Sequence, residues 1–189
     1  MSDDSGRPRG IDPRGPRFAA GITSALLLTT VFVGLVVSPL HTTAVGWFAY
    51  QPLAGRTVSL DASPGWLRLT DPAFVLLVIV ALLFLWAVVW PRTAPWGVLF
   101  RRVVQPRLTP AVDLEDPRPP RFAQGVGLVV VTMGIVLHIV GVPGAVVAAA
   151  VVAFVAAFLN AAFGVCLGCM MYLLLQRAGI VGRARPTAA

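Results

Sequence analysis

Four long apolar stretches limit what this chain can fold into. They run from Phe18 to Val37, from Ala73 to Trp90, from Phe122 to Val140, and from Pro143 to Arg177. A helix that crosses a bilayer needs about 20 apolar residues, so each of the first three stretches fits one crossing. With 57% hydrophobic and only 12% charged residues, the chain is predicted to be an all-α integral membrane protein built as a four-helix bundle.

The fourth stretch is too long for one straight span and too short for two spans with a loop, because it has roughly 35 residues. It must therefore break or bend. Gly164 and Gly168 flank Cys166, and glycine tolerates a helix interruption best. We expect a kinked final helix at this point, with a last short helix from Cys166 to Gln176.

The arginines predict the orientation of the spans. All 15 basic residues are arginine; four precede the first stretch, two lie between the first and second, six between the second and third, and three follow the fourth. The positive-inside rule places both termini and the central loop in the cytoplasm of a multi-pass protein of the bacterial inner membrane. These arginines account for the net charge of +7, so no nucleic-acid partner is expected.

The predicted organisation has five parts. They are a cytoplasmic tail over 1–17, a first two-span half over 18–90 with an outer loop at 38–71, a cytoplasmic loop over 91–120, a second two-span half over 121–177, and a cytoplasmic tail over 178–189. His41 in the outer loop and His138 near the outer end of the third span are each expected to be a hydrogen-bonded interface residue and not a metal ligand.

An internal repeat supports this organisation. The segment Asp12-Pro-Arg-Gly-Pro-Arg-Phe-Ala-Ala-Gly-Ile reappears as Asp116-Pro-Arg-Pro-Pro-Arg-Phe-Ala-Gln-Gly-Val, with eight of eleven positions identical. Because both copies precede a span that enters from the same side, the repeat predicts two parallel two-helix halves related by an axis along the membrane normal. Arg17 and Arg121 are then either interfacial anchors or parts of a cationic vestibule that binds substrate.

The central loop contains an amphipathic pattern. Over residues 95–105, Trp96, Leu99 and Phe100 share one face, whereas Arg101 and Arg102 share the other. Proline suits the first turn of a helix and ends a helix that it follows; residues 95 and 106 are both proline. We expect a short interfacial helix that lies in the headgroup region and contacts the lipid bilayer.

The two cysteines, Cys166 and Cys169, are candidates for chemistry. Their three-residue spacing places both sulfurs on one helix face, at a Cα separation compatible with a disulfide. A helix start favours a thiolate. The inner end of the last span is predicted to face the cytoplasm, a reducing compartment in which a disulfide is transient and catalytic. Alternatively, the cysteines pack as small hydrophobic residues beside the two glycines. Asn160 is polar at membrane depth, so it should face the protein interior and hydrogen-bond the carbonyls freed by the break.

Metal binding is a weaker hypothesis. Two thiolates fill half of a tetrahedral site, so a soft metal would require a homo-oligomer. The sequence has no nucleotide-binding loop, hydrolase elbow or paired catalytic carboxylates, and no cofactor is predicted.

The paired entries to the spans, the segment 95–102, and the ending Phe158-Leu-Asn-Ala-Ala-Phe-Gly-Val-Cys-Leu-Gly-Cys-Met-Met-Tyr resemble an uncharacterised bacterial membrane family, the domain of unknown function 4395. The resemblance extends from about Ile11 to Gln176. It implies that the cysteines belong to a motif, that many relatives carry Glu in place of Asn160, and that a thioredoxin-like or sulfurtransferase partner is involved.

Two functions follow as expectations. The first is thiol–disulfide or sulfur-handling chemistry by Cys166 and Cys169, with Arg17, Arg121 and Asn160 binding the substrate. The second is a non-enzymatic membrane subunit in which the cysteine pair is only packed.

Overall fold

We describe the protein from a computed structural model over residues 10–36, 65–109 and 114–179. Every regular element in these ranges is helical. The elements are α1 (Arg14–Val36), α2 (Gly65–Leu69), α3 (Pro72–Val89), α4 (Pro95–Leu99) with a π-helical turn (Phe100–Val104) and a 3-10 turn (Gln105–Arg107), α5 (Arg118–Val140), α6 (Ala145–Phe163) and α7 (Leu167–Arg177). The predicted all-α class is confirmed.

Four of these helices, α1, α3, α5 and α6, are long and apolar enough to cross a membrane. Each of them exposes at least one large apolar side chain whose exposed fraction is above one half: Phe32, Leu82, Val129 and Val152. Apolar surface on every side of a bundle is stable in contact with lipid and not with water. The protein is therefore a multi-pass membrane protein.

The four spans form a closed ring in which α1 and α5 each pack against both α3 and α6. Leu27, Leu77, Val131 and Val146, one from each span, are fully buried at its centre. Small residues bring the spans close together, as is usual between membrane helices. A Cβ on Gly34, for example, would lie 2.7 Å from the side chain of Val147.

The two ends of the ring differ in charge. One end holds the starts of α1 and α5 and the ends of α3 and α6. We call it the arginine-rich end, because most arginines of the described residues lie there, on the turns that follow α4, or on α7: Arg14, Arg17, Arg92, Arg101, Arg102, Arg107, Arg118, Arg121 and Arg177. We call the other the opposite end. Among the described residues, Arg68 alone of the arginines lies near it.

The two repeated segments have matching local structure. Asp12 accepts a hydrogen bond from the backbone N–H of Arg14, and Asp116 accepts one from that of Arg118, each at 2.9 Å. These bonds begin α1 and α5, which have 23 residues each. The preceding residues, Ile11 and Glu115, pair with each other in an antiparallel bridge. That the two halves are related as a whole remains a prediction, which these contacts favour.

A short amphipathic helix packs against the start of the first span of each half. Phe100 contacts Phe18 with ring centroids 5.8 Å apart, and Tyr172 of α7 contacts Phe122 at 5.5 Å. Phe18 and Phe122 are equivalent residues of the repeat. The helix expected at 95–105 is present, but it continues past its second proline to Arg107. Its location in the headgroup region remains a prediction.

Several predicted regions lie wholly or mainly outside the described residues. These are the outer loop 38–71 except for 65–71, the tail 1–17 before residue 10, the tail 178–189 after residue 179, and His41.

Candidate functional site

The predicted break in the last apolar stretch is present at Gly164. Helix α6 ends at Phe163, and Gly164 adopts a left-handed conformation with φ +71°. Its N–H donates to the carbonyl of Asn160 at 3.1 Å, and the N–H of Val165 donates to that of Leu159 at 3.2 Å. This pair of bonds satisfies the last carbonyls of a helix and commonly ends one at glycine. The kinked final helix is confirmed.

The two cysteines lie where the chain becomes helical again. Cys166 is the N-cap of α7, one residue before the helix begins, and its Sγ accepts a hydrogen bond of 3.2 Å from the backbone N–H of Cys169. The two Cα atoms are 5.2 Å apart and a disulfide joins the side chains. Both residues are partly exposed. The sulfurs therefore form a pair at a helix start and are not sealed in the core.

The glycine between the cysteines fixes the position of this pair. A Cβ on Gly168 would lie 2.6 Å from the backbone Cα of Ala123, so no side chain fits there. Tyr172, one turn later, is buried against Phe122. These contacts hold α7 against the start of α5, and they explain why a Cys-x-Gly-Cys spacing suits this fold.

Arg17 lies at the break. Its guanidinium covers Gly164, with Cζ 3.6 Å from the position that a Cβ on that residue would occupy. Arg121, its equivalent in the repeat, donates from Nε to the carbonyl of Val88 at 2.8 Å. Both arginines thus reach the final turn of a span that belongs to the other half, α6 and α3 respectively, and the turn that Arg17 reaches is the one before the cysteine pair.

Asn160 lies one turn before the break and is partly buried. No hydrogen bond joins its side chain to any described residue; its backbone carbonyl accepts the bond from Gly164. The expectation that the side chain would bond the freed carbonyls is wrong, because backbone N–H groups satisfy those carbonyls first.

Exposed apolar side chains flank the two cysteines in the sequence. Phe163, Val165, Leu167 and Met170 are exposed by 67%, 41%, 41% and 54%. We call these four side chains the apolar rim. No Asp, Glu, Lys or Arg occurs between Arg121 and Arg177 in the sequence, and the cation that the structure places at the break is Arg17, against Gly164, two residues before Cys166.

A buried polar cluster at the opposite end was not predicted. Asp71 caps α3 by accepting the N–H of Ala73 at 3.0 Å. The Nε2 of His138 is 3.1 Å from the carbonyl of Arg68 and 4.0 Å from Oδ2 of Asp71. The His138 ring also stacks on Phe74 with centroids 5.1 Å apart. The predicted hydrogen-bonded role of this histidine is confirmed, and the cluster joins α3 to α5.

The sequence contains a signal for one residue of this cluster, Asp71. An aspartate followed by a proline at the start of an apolar run is a helix N-cap and N1 pair, and Asp71 precedes Pro72. The contact of Asp71 with His138 near the end of α5 could be identified only in the structure. Within residues 10–36, 65–109 and 114–179, no group of three or more His, Cys, Asp or Glu side chains is placed to hold a metal ion.

Comparison with known proteins gives one match. The family model described as domain of unknown function (DUF4395) matches residues 11–177. No curated protein and no solved structure matches the chain.

Proposed function

Because the chain belongs to the DUF4395 family, whose function is unknown, its role has to be inferred from the site itself, and we propose that it carries out thiol–disulfide exchange in the membrane through Cys166 and Cys169. The observation that carries this proposal is a partly exposed cysteine pair at the start of a helix. A disulfide that only stabilises the fold does not need to be partly exposed at the start of a helix.

The exchange needs one mixed disulfide. In the reduced pair, the Cys166 thiolate attacks a sulfur of the substrate disulfide, and the substrate's second sulfur leaves as a thiolate. Cys169 then loses its proton and attacks Cys166 Sγ, which releases the other substrate sulfur and forms the internal disulfide. The reverse sequence oxidises a substrate dithiol. The Cys166 thiolate would attack a persulfide or another sulfane-sulfur donor in the same way.

The local structure supports Cys166 as the attacking residue. Its Sγ already accepts the N–H of Cys169, and the first N–H groups of α7 add positive potential at the same place. Hydrogen bonds and dipoles of this kind stabilise a thiolate. Cys169 lies one turn further along and is the resolving residue.

We assign substrate binding to Arg17, with Arg121 and Asn160 in secondary roles. The Arg17 guanidinium beside Gly164 would attract a thiolate or an anionic sulfur compound and orient it toward Cys166. A thioredoxin-like or sulfurtransferase protein is the proposed partner, and the arginine-rich end is proposed to face the cytoplasm of a bacterial cell.

The second candidate is a membrane subunit whose cysteine pair only packs. The contact between Gly168 and Ala123 favours it, because it shows that part of the motif serves helix packing. That contact accounts for the glycine. It gives no packing role to the two cysteines, which are partly exposed residues.

A trapping experiment separates the two candidates. Cys169→Ser should accumulate a covalent adduct on Cys166 when cells are lysed in acid and thiols are blocked, because the second step is lost. Cys166→Ser is the matched control and should trap far less. If neither variant yields an adduct with several disulfide and persulfide donors, and the double alanine variant leaves assembly and growth unchanged, the packing role is correct.

A further inference from the structure

We infer that the cysteine pair passes its electrons to a lipid-soluble quinone, which approaches from the membrane and is held by Arg17. This inference rests on the proposed thiol–disulfide function and names the oxidant that restores the disulfide. It follows from the depth of the sulfurs, the chemistry of the surface around them, and the position of one cation.

The sulfurs lie at the edge of the hydrocarbon layer. Helix α6 has 19 residues, which at 1.5 Å per residue is about 28 Å, close to the hydrocarbon thickness of about 30 Å. The break at Gly164 follows directly. If α6 starts at one boundary, Cys166 is at the other, within reach of a molecule dissolved in the bilayer.

The apolar rim gives such a molecule a surface to bind from the lipid side. Phe163, Val165, Leu167 and Met170 are all substantially exposed. Exposed apolar groups at membrane depth are covered by acyl chains or by another apolar group. The ring and tail of a quinone match this surface.

Arg17 supplies the polar group that a quinone requires. Reduction of a quinone places negative charge on its oxygens, and a guanidinium donates strong hydrogen bonds to such an oxygen. The guanidinium covers Gly164, two residues before Cys166. The apolar rim therefore matches the ring and tail of a quinone, and the Arg17 guanidinium matches its oxygen atoms.

The step balances as a transfer of two electrons and two protons. The Cys166 thiolate adds to the quinone ring and forms an S–C bond. The Cys169 thiolate then attacks Cys166 Sγ; the S–S bond forms, the S–C bond breaks, and its electron pair stays on the ring. The two protons that the thiols release complete the hydroquinone. A substrate dithiol later reduces the disulfide again.

The test uses the full chain in lipid nanodiscs, reduced and freed of reductant. Ubiquinone-1 is added, and quinone absorbance and disulfide formation are followed together. We expect one quinone consumed for each disulfide formed. Arg17→Gln should slow the reaction about tenfold, since a hydrogen bond to a charged group contributes at least that factor, whereas Arg107→Gln should leave the rate unchanged. A sulfonated quinone that stays in water should react more slowly.

A second variant tests access from lipid. Leu167→Gln makes the apolar rim polar at one position, and it should slow oxidation by ubiquinone-1 while oxidation by glutathione disulfide stays near the original rate. If glutathione disulfide or thioredoxin oxidises the pair and the quinone does not, the quinone inference is wrong and the proposed function stands. Equal quinone loss with Cys166→Ser also overturns the inference. If no oxidant forms the disulfide, both proposals fail.

Discussion

Gly168 is the residue whose contacts are most restrictive near the site. Replacing it with alanine would place a Cβ 2.6 Å from the Ala123 backbone, so α7 must move away from α5. We expect Gly168→Ala to lower the free energy of unfolding by about 1–3 kcal/mol, as overpacking does, and to speed alkylation of the reduced cysteines. Circular dichroism during thermal unfolding in detergent and maleimide labelling measure the two effects.

Gly125→Ala is the matched control, because a Cβ on Gly125 would meet no atom within 4 Å. Alanine is the better helix former by about 1 kcal/mol, so this variant should be as stable as the parent or more so. Equal stability of the two variants would show that α7 does not depend on this contact.

At single residues, the sequence predicted the position of the cysteine pair but not the contacts of the repeated arginines. Cys166 and Cys169 stood out by spacing, and their place at a helix start is confirmed. That Arg17 reaches the break, whereas Arg121 bonds Val88, was not predictable, because the two arginines occupy identical positions in the repeat. The partner of each depends on which span ends beside it.

Among the helices, the junction of α6 and α7 depends on one backbone conformation. Gly164 has φ +71°, where a non-glycine residue costs about 1–2 kcal/mol. With Gly164→Ala, we expect the helix to continue through the break, so that Cys166 loses the N–H of Cys169. Reduced Cys166 should then react more slowly with maleimide at neutral pH. Labelling of Gly164→Ala in a Cys169→Ser background measures this rate.

Gly144→Ala provides the control for backbone strain alone. Gly144 has φ +74° at the start of α6, and a Cβ there would meet no atom within 4 Å. Both variants should lose similar stability, but Gly144→Ala should leave the maleimide rate unchanged. A change of the same size in both would mean that the rate reports general loosening of the bundle.

The sequence predicted the helices correctly where the length of an apolar stretch determines how it can cross the bilayer. An apolar stretch of roughly 35 residues cannot stay straight in a bilayer, and the glycines showed where it breaks. The short helix α2 and the π-helical turn at Phe100–Val104 were not predicted. The π-helical turn carries Phe100, which is buried against Gly15 and Phe18, so tertiary packing and not local propensity accounts for its contacts.

For the whole molecule, the repeat predicted two spans per half, and the short helix predicted after each second span packs against the start of the first span of the same half. The turn around Phe100 contacts Phe18, and α7 contacts Phe122. The N-caps of these short helices are Ala94 and Cys166. If the halves are related as the repeat predicts, the half with α7 has cysteine where the other has alanine. The sequence did not show that these two short helices are equivalent, because they share almost no residues.

The orientation of the protein in the membrane determines which compartment, and therefore which reaction partners, the cysteine pair can reach. Nine arginines lie at the arginine-rich end or beside it, on the turns that follow α4 and on α7, and the positive-inside rule predicts that they face the cytoplasm. A fluorescent protein that folds only in the cytoplasm should be bright when fused after Gly179 and dark when fused after Gly141, with alkaline phosphatase giving the reverse. The two fusion points lie at opposite ends of the bundle. Phosphatase activity after Gly179 would overturn the cytoplasmic assignment and place the cysteines in an oxidising compartment, where disulfides form and persist.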